Sequence, residues 1–293
     1  IARAYNNISS YNGFLSGCNK NVSIITGTGN SYYNRLLSSI GKKEDIEVIR
    51  FNHGGERCFY DDPHFWENGD LFQTNKYVTY GKKWKIWLEK IVKNSGNKIT
   101  IKSIGSDYHK EIYNKFFNKK IQRTKKILYI PNSFIGEIRV FPYAKLIDPV
   151  LFDWQKYLIE VLQKNGFDVI YKKHPKGFLH EENFLGELAT YQSTKPMLEA
   201  LEDADMVLCD MAGSAFTESL CAGKKIVLIN TLQRPFDFSS KEDLQSAVKI
   251  IDAYWEENTL MIDEKKLIDA FTNFDINKEN MKKVVKDYYL SSE

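Results

Sequence analysis

"DMVLCDMAGSAFTESLCAGKKIVLIN", residues 205–230, contains an apolar run, a turn of small residues, a helical stretch and a second apolar run. Short apolar runs bounded by Asp, Gly and Lys read as buried strands, and the stretch beginning at Ser214 between them reads as a helix. Two strands joined through a helix lie parallel, so the stretch predicts a sheet with helices packed on its faces. The same alternation continues upstream. "KKILYIPNSF" is a strand stopped at Pro131, "DPVLFDWQKYLIEVLQKNG" a helix, "FDVIYKK" a strand and "KPMLEALEDA" a further helix. In the longest of these, Val150, Leu151, Trp154, Tyr157, Leu158, Val161 and Leu162 share one face, with Asp148 and Pro149 at its start and Gly166 at its end.

Nearer the amino end, "NVSIITGTGN" reads as a strand at Val22 to Ile25 that turns through Gly27 and Gly29 into a helix carrying Leu36, Leu37 and Ile40. "IEVIRF", "KYVTYG" and "KITIKSIGS" are strand-like, and "KKWKIWLEKIVKN" is helical. The charged stretch at residues 108–125 reads as a helix and connector, and charged helices are expected from about Ser240 to the end. Two lobes follow, at residues 1–120 and 121–293. The expected fold class is α/β, with two Rossmann-like lobes whose parallel sheets face a central cleft.

Composition narrows the classes. With 293 residues, 43% hydrophobic and 27% charged, the chain suits a globular protein, and a net charge of +3 is too mild for a nucleic-acid binder. Cys18, Cys58, Cys209 and Cys221 show no CxxC spacing, which favours buried thiols in a reducing compartment over a disulfide framework or zinc site. No apolar stretch approaches the ~20 residues of a membrane span, so a cytoplasmic location is expected, with at most peripheral contact at the inner membrane face. A start at Ile1, without methionine, fits a portion of a longer polypeptide.

The turn at Ala212-Gly213 and the helix opening at Ser214 form the first chemical signal. Free backbone N–H groups and the helix dipole favour an anion there. Ser214 and Thr217, three apart, place hydroxyls on one side of the first turn, and Glu218 follows four after Ser214. That suits a diphosphate with a ribose nearby, whereas plain capping by Ser214 would contribute about 1 kcal/mol and bind nothing. A second signal, "VIYKKHPKG" at residues 169–177, ends a strand of the same sheet with Lys172, Lys173, His174 and Pro175. Proline forces the chain out of the sheet and holds the histidine extended, at the sheet edge where the helix opens. In the first lobe, His53 leaves a strand just before Gly54 and Gly55, and is the candidate general base. Gly27 and Gly29 read as a tight turn exposing backbone on the acceptor side.

His174-Pro175 followed by Asp210, Ser214, Glu218 and Gly223-Lys224-Lys225 resembles the carboxyl-terminal lobe of GT-B glycosyltransferases. The resemblance is to their CDP-glycerol glycerophosphotransferase and capsular polysaccharide transferase relatives, and covers about residues 126–232. It implies donor-phosphate contacts for His174, Ser214 and Thr217, and a ribose contact for Glu218. Asn132 and Ser133 stand where those relatives carry threonine, and Arg139 stands farther on than their arginine.

The expected activity is transfer of a sugar, or a polyol phosphate, from a CMP-, CDP- or UDP-linked donor to a glycan or lipid-linked acceptor in bacterial surface-polysaccharide assembly. Lys172, Lys173, His174 and the helix start would carry the leaving-group charge, so no obligatory cofactor or metal is expected. Asp61, Asp62, His64 and Glu67 match no metal-ligand spacing and read as turn residues. Phe59, Tyr60, Phe65, Trp66 and Phe72 read as packing in preference to sugar stacking. A sugar-nucleotide 2-epimerase and a noncatalytic nucleotide- or sugar-binding lobe are the alternatives.

Overall fold

Two parallel sheets, each with its own helices, organise the computed structural model, which describes residues 2–17, 22–29, 31–55, 57–61, 69–96, 98–120, 125–134, 146–174, 184–273 and 275–291. One unit comprises Ile1–Cys58, Asp62–Asp107 and Lys286–Glu293, the other Phe59–Asp61 and Tyr108–Val285. The division therefore falls at residue 107, ahead of the expected position near 120. The chain's last residues also rejoin the first unit.

In the first unit, α1 (Ala2–Ser16) precedes β1 (Ser23–Thr26), α2 (Tyr32–Lys43), β2 (Glu47–Phe51), a 3-10 turn at Arg57–Phe59, β3 (Lys76–Thr79), α3 (Lys82–Ser95) and β4 (Thr100–Ser103). The four strands are parallel in the order β1-β2-β3-β4. Ser31 caps α2 by accepting from the Asn34 N–H at 3.2 Å, as a residue just ahead of an apolar-periodic stretch should. In β2, Val48 and Arg50 are buried on one face, so the alternation that predicts the strand also sends a guanidinium inward.

In the second unit, α4 (Asp107–Phe116) leads to β5 (Lys126–Ile130), α5 (Asp148–Lys164), β6 (Asp168–Lys172), α6 (Phe184–Leu188), β7 (Tyr191–Ser193), α7 (Met197–Asp203), β8 (Met206–Cys209), α8 (Ser214–Cys221) and β9 (Lys225–Asn230). After them come α9 (Phe238–Ala247), β10 (Lys249–Asp252), the hairpin β11 (Tyr254–Glu256) and β12 (Thr259–Met261), α10 (Glu264–Thr272) and α11 (Lys278–Val285). Strand order is β10-β9-β8-β5-β6-β7, all parallel. From β5 the chain winds outward through β6 and β7, then returns to β8 on the other side, which is the doubly wound Rossmann arrangement. The region after Ser240, expected to be helical, contains β10 to β12 as well; strands of three or four residues are too short for their periodicity to be read.

Leu158, Leu162 and Trp154 on the inner face of α5 pack with Ile127, Val169 and Leu208 of the sheet, and all six are essentially inaccessible. Each side chain buried this way contributes about 1.5–3 kcal/mol. Helix α5 ends as its sequence predicts: Gly166 takes φ 80°, its N–H bonds Gln163 O and the Phe167 N–H bonds Leu162 O. Gly223 ends α8 by the same device at φ 69°, with Gly223 N–H on Leu220 O and Lys224 N–H on Ser219 O. The glycine and lysines of the motif resembling GT-B enzymes thus have a structural task, Lys224 pairing with Asp205 at 3.1 Å.

Candidate functional site

In the second unit the crossover direction reverses between β5 and β8, and ligands of doubly wound sheets bind beyond the carboxyl ends of the strands at such a switch. Asp210, one residue past β8 and 1% exposed, ties the two strand ends together. Its Oδ2 accepts from the Tyr129 hydroxyl at 3.0 Å and its Oδ1 from the Asn132 N–H beyond β5. Gln155 on α5 donates to Asn132 O at 2.8 Å and accepts from the Tyr171 hydroxyl at 3.1 Å. Burial pushes the Asp210 carboxyl up to about 7 against these bonds, which lower it. It holds the floor of the switch point in place.

The turn from Met211 to Gly213 is pinned from the side. The Tyr60 hydroxyl accepts from the Ala212 N–H at 3.0 Å and lies 3.4 Å from Ala212 O, to which it donates. Its ring stacks on Phe236 at 5.2 Å with the Arg234 guanidinium 3.9 Å from its centroid. Phe59 packs edge-on against Phe216 of α8 at 6.0 Å. Phe59 and Tyr60 are therefore packing residues, as expected, whereas Phe65 and Trp66 lie outside the described residues and Phe72 sits 5.5 Å from the Arg35 guanidinium in the first unit. A Tyr60→Phe variant leaves the buried Ala212 N–H without an acceptor and should lose about 1–3 kcal/mol in urea denaturation.

Gly213, not Ser214, is the N-cap residue of α8, and the first helical bond runs from the Thr217 N–H to Gly213 O at 3.1 Å. The N–H groups of Ser214, Ala215 and Phe216 precede that bond, and the Ser214 side chain is exposed, so this end suits an anion. Thr217 departs from expectation. It is fully buried, its hydroxyl donates to Ser214 O at 2.7 Å, and His109 Nε2 approaches its oxygen at 3.4 Å. A helical threonine that bonds back onto the preceding turn has no hydroxyl left for a phosphate. With that proton committed, His109 is the donor through Nε2, and burial lowers its pKa to about 4, keeping it neutral.

Lys172 at the end of β6 and Glu218 on α8 interact electrostatically across the switch point. Burial lowers the Lys172 pKa and raises that of Glu218, and each partly restores the other's charge. Glu218 Oε1 accepts from the Tyr108 hydroxyl at 3.1 Å. Lys173 is partly exposed and His174 exposed beyond β6, while Pro175 lies outside the described residues.

In the first unit, His53, half-buried, joins a network around the buried Asp70 that sequence reading did not find. Arg57 Nη2 lies 2.6 Å from His53 Nε2, and because a guanidinium only donates, Nε2 accepts. His53 Nδ1 faces Asp70 Oδ2 at 3.7 Å. Asp70, fully buried, accepts from Arg57 Nη1 at 2.8 Å, the Gly29 N–H at 2.8 Å and the Thr28 hydroxyl at 3.0 Å. Arg50 beside it donates to Gly69 O, Asp70 O and Ser38 Oγ. The signal for Arg50 was present: a charge in the inward register of an alternating strand.

Gly29 is buried with its N–H committed to Asp70, so it does not present backbone to a ligand as expected, whereas Gly27 is exposed. A Cβ on Gly29 would sit 1.9 Å from Arg50 Nη1, which explains the glycine by packing. Gly54 takes φ 70°, and Gly55 O accepts from the Tyr289 hydroxyl at 2.8 Å, so the end of the chain fixes the turn after His53. Asp62, His64 and Glu67 fall outside the described residues, as does Cys18; Cys58, Cys209 and Cys221 are buried free thiols.

No protein-family model matches the sequence, and no curated protein matches it significantly. Solved structures do. A Listeria monocytogenes protein assigned as a UDP-N-acetylglucosamine 2-epimerase aligns at TM-score 0.57 and 12% identity, over 98% of this chain and 75% of that one. S. aureus MnaA, in a co-structure with UDP, aligns at 0.56 and 9% over 98% and 74%. Arabidopsis thaliana UGT89C1 complexed with UDP-L-rhamnose aligns at 0.54 and 12% over 96% and 71%. At these identities the likeness is one of fold, and that fold is α/β of the GT-B type with two Rossmann-like lobes.

Proposed function

We propose that the chain is a glycosyltransferase that binds a nucleoside-diphosphate sugar on its second unit and transfers the sugar to a hydroxyl acceptor. One observation carries the reading: at the switch point, where Asp210 joins the ends of β5 and β8, α8 opens with an exposed Ser214 and, among the described residues, no hydrogen bond to its first N–H groups. A diphosphate there would meet N–H donors, the cations Lys172 and Lys173 and the imidazole of His174, and a ribose hydroxyl would meet Glu218. As the bond from the anomeric carbon to the diphosphate oxygen breaks, those cations would stabilise the charge on the leaving oxygen without an obligatory metal. The UDP and UDP-L-rhamnose held by two proteins of similar fold support a uridine donor over the other nucleotides. For His53 we infer the general base, since its Nε2 is held as an acceptor. Arg57 must yield that lone pair to the incoming hydroxyl. By resemblance, the acceptor is a glycan or lipid-linked intermediate of a bacterial surface polysaccharide; among the described residues no helix is long and apolar enough to cross a membrane.

The test is calorimetric titration with UDP, CDP, CMP and GDP, with and without magnesium, on the wild type, Lys172→Ala and His53→Ala. Selective UDP binding, weakened about tenfold or more in Lys172→Ala and unchanged in His53→Ala, is the expected result. Equal loss in both variants, or no nucleotide binding, would refute it. A 2-epimerase is the second reading, favoured by the Listeria monocytogenes protein of similar fold; conversion of UDP-N-acetylglucosamine by the protein alone, with no acceptor, would establish it over transfer.

A further inference from the structure

Tyr108 and Glu218 stand 110 residues apart in the chain, yet the phenol donates to Glu218 Oε1 at 3.1 Å within the second unit. The other carboxylate oxygen, Oε2, is buried and has no hydrogen-bond partner among the described residues. The accessible side of the carboxylate is therefore the side that Tyr108 covers. Tyr108 itself is 46% exposed, and its phenol, pushed up to about 12 chiefly by desolvation and then by Glu218, stays protonated and able to donate. A hydroxyl bonded to a carboxylate normally sits at about 2.5–2.7 Å, so a contact of 3.1 Å is long and readily exchanged. The donor is an O–H on carbon, chemically the same group that a sugar ring presents.

We propose that Tyr108 is a specificity-determining residue that occupies Glu218 in place of a ribose hydroxyl and is displaced when a ribonucleotide binds. The inference rests on the nucleotide-donor reading above. Ribose recognition is then a competition: the ligand's hydroxyl gains Glu218 only by releasing Tyr108 to solvent, which reduces the preference for ribonucleotides below what the carboxylate alone would give.

The probes are UDP and 2′,3′-dideoxy-UDP, titrated calorimetrically into wild type, Tyr108→Phe and Glu218→Ala, with melting curves confirming that each variant is folded. Removal of the competing bond should tighten UDP about three- to tenfold in Tyr108→Phe while leaving the dideoxy nucleotide unchanged, and Glu218→Ala should bring the two affinities together. Equal weakening of both nucleotides in Tyr108→Phe, an unchanged ratio, or a reduced one would overturn the proposal, the last by making the tyrosine a support for Glu218. Equal affinity for the two nucleotides in both wild type and Tyr108→Phe would also overturn it while leaving nucleotide binding intact. Absence of any binding would remove the donor reading and this inference together.

Discussion

Asp70→Ala is expected to destabilise the first unit by about 3–5 kcal/mol, the usual result of removing one partner from a buried charge pair. The carboxylate is fully buried and accepts three bonds, from Gly29 N–H, the Thr28 hydroxyl and Arg57 Nη1. Alanine leaves the Gly29 N–H buried without an acceptor and the Arg57 guanidinium, 15% exposed, without its counter-charge. Arg50 also suffers. Burial lowers its pKa, Asp70 is the largest influence opposing that, and its backbone-carbonyl bonds cannot replace a negative charge. Asp70→Asn keeps an oxygen for Gly29 and Thr28 but turns an amide donor toward Arg57, so its loss should be intermediate. Because a two-unit chain need not unfold in one step, hydrogen exchange should be read separately on peptides spanning β1 to β4 and β5 to β9. Protection should collapse in the first set. A loss under about 1 kcal/mol there would show that the network is not the stabilising element described.

The Rossmann-like lobes were legible because apolar strand runs and one-sided helices alternate along the chain, and because Pro131, Gly166 and Gly223 mark element ends by mechanisms that act locally. The same local logic places Ser214 and Glu218 on the first turns of a helix, where the structure has them. It failed where contacts join residues distant in sequence. Tyr108 meets Glu218, Tyr60 meets Ala212, and Arg57 meets both His53 and Asp70, yet none of these pairings has a periodic or spacing signature. Thr217 was misassigned for a related reason: spacing put its hydroxyl on the first turn but could not reveal that Ser214 O and His109 already engage it. Gly29 resembled part of a ligand-binding turn and is instead required by the arginine packed against it.

Asp210 leads to an effect of comparable size, a pH-dependent one. Its carboxyl titrates near the ordinary 3.8 when unfolded and at about 7 when folded, so between those values the folded protein holds a proton that the unfolded chain has released. Stability from this group is full below the unfolded value and is lost as pH rises through about 7, a total of about 4 kcal/mol. His109 opposes it. Buried and neutral, it titrates at about 4 when folded against an ordinary 6.5, so its contribution is present above 6.5 and falls by about 3 kcal/mol as pH drops through the folded value. These two contributions nearly cancel across the acidic range. Asp210→Asn removes one side of that balance. An amide keeps the Asn132 N–H bond through its oxygen, while its nitrogen donates to the Tyr129 hydroxyl where the carboxylate had accepted from it, so the second contact is kept in reversed direction without a titrating group. The variant should therefore be more stable than wild type at pH 8, where the wild type buries a carboxylate ion, and less stable relative to it with each step toward pH 4. Urea titrations of both proteins at several pH values give the difference curve directly, and its slope is the test. Parallel curves for the two proteins would mean that Asp210 is ionised in the fold throughout, and that the strand ends at the switch point are held by an anion and not by a proton shared with the sheet's floor.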